Sequence, residues 1–292
     1  MLDWIFRRQY VLTHEQAERY ASEKDNNFRW VLSLFATYSN CTLTDDDLVS
    51  EDLHNEITQL GIFPVIRYDI GKTRQPGQFA ELVYSAVPVQ FLIENYSTLS
   101  QPHYPLEKYD TLRDCLFVDA FCGTCADLPA FIVFQPVSRR LVVSIAGSTS
   151  ITHMLHNVRC YRTAHPSGRG QVHSGFLRLY EGIKNPLFDG IRQGVEKYSP
   201  TELILTGHSM GASIVYLFII ELLAQDDPIL PRVKLSSCIF GSPRVGDSDL
   251  VDHFLTLVRS FRERFGQDAF REYSIKGYND GVYSSFLPSA HI

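Results

Sequence analysis

An α/β fold, with a mostly parallel central sheet covered by helices on both faces, is what this 292-residue sequence predicts. Three observations carry that expectation. From about residue 130 onward, short apolar runs of strand length alternate with longer segments of helical spacing. One of those runs, Leu203 to Thr206, ends in Gly207-His208-Ser209-Met210-Gly211 and passes directly into an apolar helical segment. The composition, 45% hydrophobic and 21% charged, is that of a globular chain able to bury a large core.

Taken in order, residues 1–75 read as a polar helical extension. Thr13 stands as a cap before His14-Glu15-Gln16-Ala17, and acids crowd at Asp45, Asp46, Asp47, Glu51 and Asp52. Gly71 to Gly77, with Pro76, reads as a turn or linker into a main domain over 76–292. Phe79 to Asn95 carries the spacing of one amphipathic helix lying on the sheet. Ala130 to Gln135 and Leu141 to Ile145 are apolar, β-rich and separated by the turn-like stretch 136–140, so they read as adjacent strands. Phe176 to Tyr198 is helical with an expected break at Pro186. After the Leu203 to Thr206 strand, Ser213 to Ala224 is apolar on nearly every face and stops before Pro228, the pattern of a helix buried all round. Lys234 to Phe240 is a further strand, Val251 to Phe265 a helix, and Tyr273 to Gly277 a last short strand. No internal repeat interrupts this order.

Several function classes fall away on charge and composition. A net charge of −6 and the lack of basic runs with interleaved aromatics predict no nucleic-acid partner. No apolar stretch is long enough for a bilayer span, and Met1 to Arg8 lacks the ordering of a secretory signal, so a cytoplasmic location is expected. The six cysteines then read as reduced thiols. Cys122-Gly123-Thr124-Cys125 has no second pair at ligand spacing, and neither a metal nor a cofactor is expected.

The chemistry sits in the pentapeptide around Ser209. A strand that turns sharply into a helix leaves the turn residue in a crowded backbone conformation, and its neighbours two positions away must lack bulk, a demand that Gly207 and Gly211 meet. The serine hydroxyl then stands above the sheet edge as a nucleophile, and the N–H of Met210 can face a developing oxyanion. A second donor is expected at Ser148, because Ala146-Gly147-Ser148-Thr149 ends a strand on the same sheet edge. The acid that orients the base should follow a later strand. Asp280, in Tyr278-Asn279-Asp280-Gly281, has that place, and Asp247 competes for it.

These segments together resemble the class 3, fungal triacylglycerol lipase-like family of α/β-hydrolases. The matching stretches, in the family's order, are Leu141 to Ser150, Val172-His173-Ser174-Gly175-Phe176, Thr206 to Ala212, Phe240-Gly241-Ser242-Pro243-Arg244-Val245-Gly246-Asp247, and Asn279 to Pro288. The resemblance implies an α/β-hydrolase-like fold with Ser209 as nucleophile, Ser148 and Met210 as oxyanion donors and Asp280 as triad acid. It gives His173 and His208 structural roles. It also places a lid over Ser150 to Val158, where Ile151, Met154 and Leu155 share one helical face suited to a lipid surface. The family's catalytic histidine lies in a further C-terminal segment, whereas this sequence ends four residues after Pro288, as though the C-terminal end of the fold were missing. His291, the only histidine after Asp280, is the candidate base. The implied activity is a serine carboxylic-ester hydrolase acting on a lipid or small acyl ester, with transient contact to a lipid surface. The alternative is a truncated, catalytically silent relative that binds lipid or a partner.

Overall fold

The computed structural model describes residues 70–275 apart from 86, 103–105, 108, 127 and 148–160. Three helices come first, α1 (Ile70–Leu82), α2 (Val89–Glu94) and α3 (Tyr96–Leu99). The strands β1 (Leu116–Cys122), β2 (Pro129–Gln135) and β3 (Arg140–Ile145) follow, then the short β4 (Arg162–Ala164) and β5 (Gln171–His173). Helices and strands alternate from there: α4 (Ser174–Tyr198), β6 (Glu202–His208), α5 (Met210–Ala224), β7 (Lys234–Phe240), α6 (Ser248–Phe265) and β8 (Phe270–Ile275).

Six strands make one sheet in the order β1-β2-β3-β6-β7-β8, and β4 and β5 pair separately. Strands β3, β6, β7 and β8 run parallel. The first two strands add antiparallel at the edge. The antiparallel turn is local, since the 136–140 connection is too short for a crossover, whereas each parallel step needs a helix to bring the chain back.

Strand alternation divides the core in two. Leu141, Val143, Ile145, Leu203 and Leu205 point to the face covered by α4, α5 and α6. Their neighbours Val142, Ala146 and Ile204 point to the opposite face, where Phe79 and Leu82 of α1 and Val83 just past its end pack with Leu92 and Leu99. Helix α5 lies against the sheet with every residue buried except Glu221 and Ala224, as its uniform apolarity predicts. Across it, the Tyr216 hydroxyl donates to Glu272 Oε1 at 2.6 Å, giving the buried carboxylate on β8 a partner inside the core.

Three expectations are corrected here. Gly71 to Gly77 is no turn: α1 runs through it with Pro76 inside. The sheet supplies what local propensity withholds, for the Pro76 carbonyl accepts from Thr206 Oγ1 at 3.1 Å and the Phe79 carbonyl from Ser144 Oγ at 2.8 Å. Phe79 to Asn95 is not one helix but ends at Leu82 and resumes at Val89 after Pro88, whose missing N–H suits a helix start. Helix α4 continues through Pro186. Ile183, Leu187 and Ile191 are each fully buried around it, and their packing outweighs the roughly 3 kcal/mol an interior proline costs. No helix among the described residues is long and apolar enough to cross a membrane.

Candidate active site

The β6 to α5 corner holds Ser209 at φ 54° and ψ −122°, in a region that side chains of L-residues rarely enter. Such a residue persists only where its surroundings over-determine it. Its N–H donates to the Phe240 carbonyl of β7 at 2.8 Å, and its own carbonyl accepts from Ala212 N at 3.0 Å to start α5. The two flanking glycines are required by close approach. A Cβ on Gly207 would fall within 3.0 Å of Gly211 and Ala212 backbone atoms, and one on Gly211 would meet the carbonyl oxygens of Ile145 and Ala146. Met210 opens α5, so its N–H has no intrahelical acceptor and lies at the positive end of the helix dipole.

Parallel β3 ends beside this corner. The last register pair is Ile145 with Gly207, after which Ala146 and Gly147 leave on one side and His208 and Ser209 on the other. On the far side, β7 and β8 reach the same edge, with Phe240 paired to Ile275 and Gly241 N–H donating to the Ile275 carbonyl at 2.8 Å. Three strand ends thus converge around Ser209.

Of the residues singled out in the sequence, Ser209 and Met210 sit together at this corner. Ser148, Asp280 and His291 lie outside the described residues, as do Ile151, Met154 and Leu155. Asp247 does not compete for the acid's role. Its Oδ1 caps α6 by accepting from Leu250 N at 3.0 Å and also accepts from Gln171 N at 3.0 Å, fastening β5 to α6.

The described histidines are tied elsewhere. His173 caps α4, its Nδ1 accepting from Gly175 N at 3.2 Å and Phe176 N at 3.4 Å. His165 Nδ1 lies 2.8 Å from Ser167 Oγ. His208 continues the Ile204, Thr206 alternation and so faces α1 instead of sharing the side of its neighbour's hydroxyl; its Nδ1 is 3.1 Å from the hydroxyl of Tyr84. Burial there lowers its pKa from 6.5 to about 4, so the ring is neutral. Tyr84 has no local signal in the sequence: it is an aromatic residue just past a helix end, brought to the site from more than a hundred positions away.

Residues 142–270 match the family described as lipase (class 3). Over that stretch, less than half of the chain, it is similar to class 3 lipases. Among curated proteins, the chain is 25% identical over 153 residues to a lipase of Rhizopus niveus, a match covering 49% of this chain and 38% of that protein. It is 30% identical over 126 residues to a chloroplastic phospholipase A(1) of Arabidopsis thaliana, covering 37% of this chain and 28% of that one. The matched region therefore spans well under half the length of these relatives. Among solved structures, the lipase from Rhizopus microsporus var. chinensis superposes with a TM-score of 0.54 at 18% identity, over 77% of this chain and 72% of that one. A triacylglycerol lipase whose catalytic centre is described as a serine protease triad gives a TM-score of 0.50 at 17% identity, over 82% and 77% of the two chains. At these identities the structural likeness shows the fold, which is α/β-hydrolase-like.

Proposed function

We propose that this class 3 lipase-like chain is a serine carboxylic-ester hydrolase acting on lipid or other acyl esters, with Ser209 as its nucleophile. The observation that carries the reading is the strained backbone of Ser209, held between β6 and α5 beside the N–H of Met210. A serine held at a positive φ of 54° by its Phe240 and Ala212 hydrogen bonds, between two glycines whose surroundings admit no Cβ, has a conformational cost that a plain turn would not retain.

In the proposed reaction the Ser209 hydroxyl attacks the acyl carbonyl and gives its proton to a histidine base, assigned to His291 and oriented by Asp280. The tetrahedral oxyanion is met by the Met210 N–H and by Ser148. Protonated histidine then releases the alcohol, and water, deprotonated by the same base, frees the acid and restores the serine. Kinship with lipases and a phospholipase supports a lipid ester as substrate and contact with a lipid surface.

A fluorophosphonate probe tests this. The wild-type chain should label at Ser209 at least ~10³ times faster than a heat-denatured control, and Ser209→Ala should not label. His291→Ala should lose most of that rate. A wild-type chain labelled no faster than its denatured control would leave a silent, lipid- or partner-binding relative as the reading.

A further inference from the structure

The last rung of the β3 to β6 ladder is Ile145 with Gly207, yet the two chains stay close beyond it. A Cβ built on Gly147 would stand 3.2 Å from the Ser209 Cβ, so these strand ends approach within side-chain contact, with no register pair past Ile145 and Gly207 among the described residues. What spans them is a side chain from the α1 layer. The Tyr84 hydroxyl accepts the Gly147 N–H at 2.7 Å. The same oxygen lies 3.1 Å from His208 Nδ1 and 3.4 Å from the His208 carbonyl.

A phenol has one proton and can accept at the same oxygen, so Tyr84 can accept from Gly147 and still bond to His208. Gly147 N–H donates to Tyr84, and the Tyr84 hydroxyl meets His208 at both Nδ1 and the carbonyl, the direction at Nδ1 following the imidazole tautomer. Burial keeps both partners uncharged, lowering His208 to about 4 and raising the Tyr84 phenol above its usual 10. The Tyr84 and His208 rings also meet edge to face, with centroids 6.1 Å apart.

We propose that Tyr84 is a positioning residue for the reaction at Ser209: its hydroxyl acts as a further rung, fixing the spacing between the strand end that leads into Ser148 and the corner that carries Ser209. The inference rests on the roles of Ser209 and Ser148 given above. Tyr84 bonds to the residue immediately before each of them, Gly147 and His208. It also occupies the Gly147 N–H, which leaves the oxyanion to Met210 and Ser148. Oxyanion donors act by being in place before charge develops, and a misplacement of about 1 Å can cost ~10²-fold. The bridge is therefore expected to act on turnover more than on substrate binding.

Tyr84→Phe in the full chain removes the hydroxyl and keeps the ring. With p-nitrophenyl butyrate, kcat should fall by about tenfold to a hundredfold with KM changed less than about twofold, and the rate of fluorophosphonate labelling at Ser209 should fall by the same factor as kcat. Amide exchange at Gly147 should accelerate in the variant while amides within α5 keep their protection. If Tyr84→Phe does not fold, His208→Leu removes the imidazole partner, leaves the Gly147 bond in place, and should lower kcat in the same direction. Wild type that reacts at Ser209, with kcat unchanged in a folded Tyr84→Phe, overturns this inference alone. Loss of thermal stability with no change in kcat overturns it as well, because it would reduce Tyr84 to packing. A wild-type chain that neither turns over the ester nor takes the probe overturns the nucleophile reading and this inference together.

Discussion

The two faces of the sheet are held by different physics. On the α4, α5 and α6 face the sheet meets a continuous apolar core, with Tyr216, Phe218 and Phe254 fully buried and rings crossing edge to face, Tyr216 to Phe254 at 5.6 Å and Phe254 to Phe270 at 6.2 Å. On the α1 face the cluster is smaller, and polar hooks punctuate it: Ser144 to Phe79, Thr206 to Pro76, Tyr84 to Gly147 and His208. Apolar packing is non-directional and sets how strongly layers adhere. Hydrogen bonds are directional and set where along the sheet a helix sits. The large face therefore carries most of the stability, while the small one sets the register that brings Tyr84 to the site.

The largest expected effect is on the first face. Phe254→Ala empties a fully buried site between α5, α6 and β8 and should cost about 3–5 kcal/mol, read as a shift of the denaturant midpoint at unchanged slope. A loss below about 1 kcal/mol would mean that the core does not depend on that face.

Acid should act on the second. The folded pKa of His208 is depressed from 6.5 to about 4, so between those values the unfolded chain binds the extra proton. Stability is then fully present above pH 6.5 and is lost as pH falls, by roughly 3 kcal/mol once pH is below about 4. The buried His165 and His173 and the half-buried His253 shift the same way and add to the slope. Urea unfolding at a series of pH values checks this, and His208→Leu should flatten the profile between 6.5 and 4. An unchanged slope in that variant would assign the acid loss elsewhere.

The smallest effect is a polar hook. Thr206→Val is nearly isosteric and deletes a hydroxyl shared between the Cys238 carbonyl at 2.7 Å and the Pro76 carbonyl at 3.1 Å, at a cost of about 1–3 kcal/mol. Hydrogen exchange should show that loss concentrated in α1 and absent from α5. Uniform loss across both would remove the distinction between the faces.

Elements whose patterns are local were legible. The strand at Lys234 to Phe240 has the bounds read from the sequence, and the helix after Ser209 announces itself by apolarity on every side. Strand β1 was not read, because Leu116 to Cys122 at the sheet edge is only partly covered and lacks both a continuous apolar run and clean alternation. Asp247 next to a glycine looked like any strand-end acid until the Leu250 and Gln171 amides were seen to converge on it.

By itself the sequence determined the corner at Ser209, since the glycine spacing, the preceding apolar strand and the following apolar helix all lie within a few residues of one another and act through short-range sterics. Only the tertiary structure decided that α1 runs through Gly71 and Pro76 and that α4 ignores Pro186, because burial against the sheet outweighs weak local preferences that read the other way. It alone brought Tyr84 to Gly147 and His208, for a hydrogen bond between residues so far apart in the chain has no trace in the spacing of either.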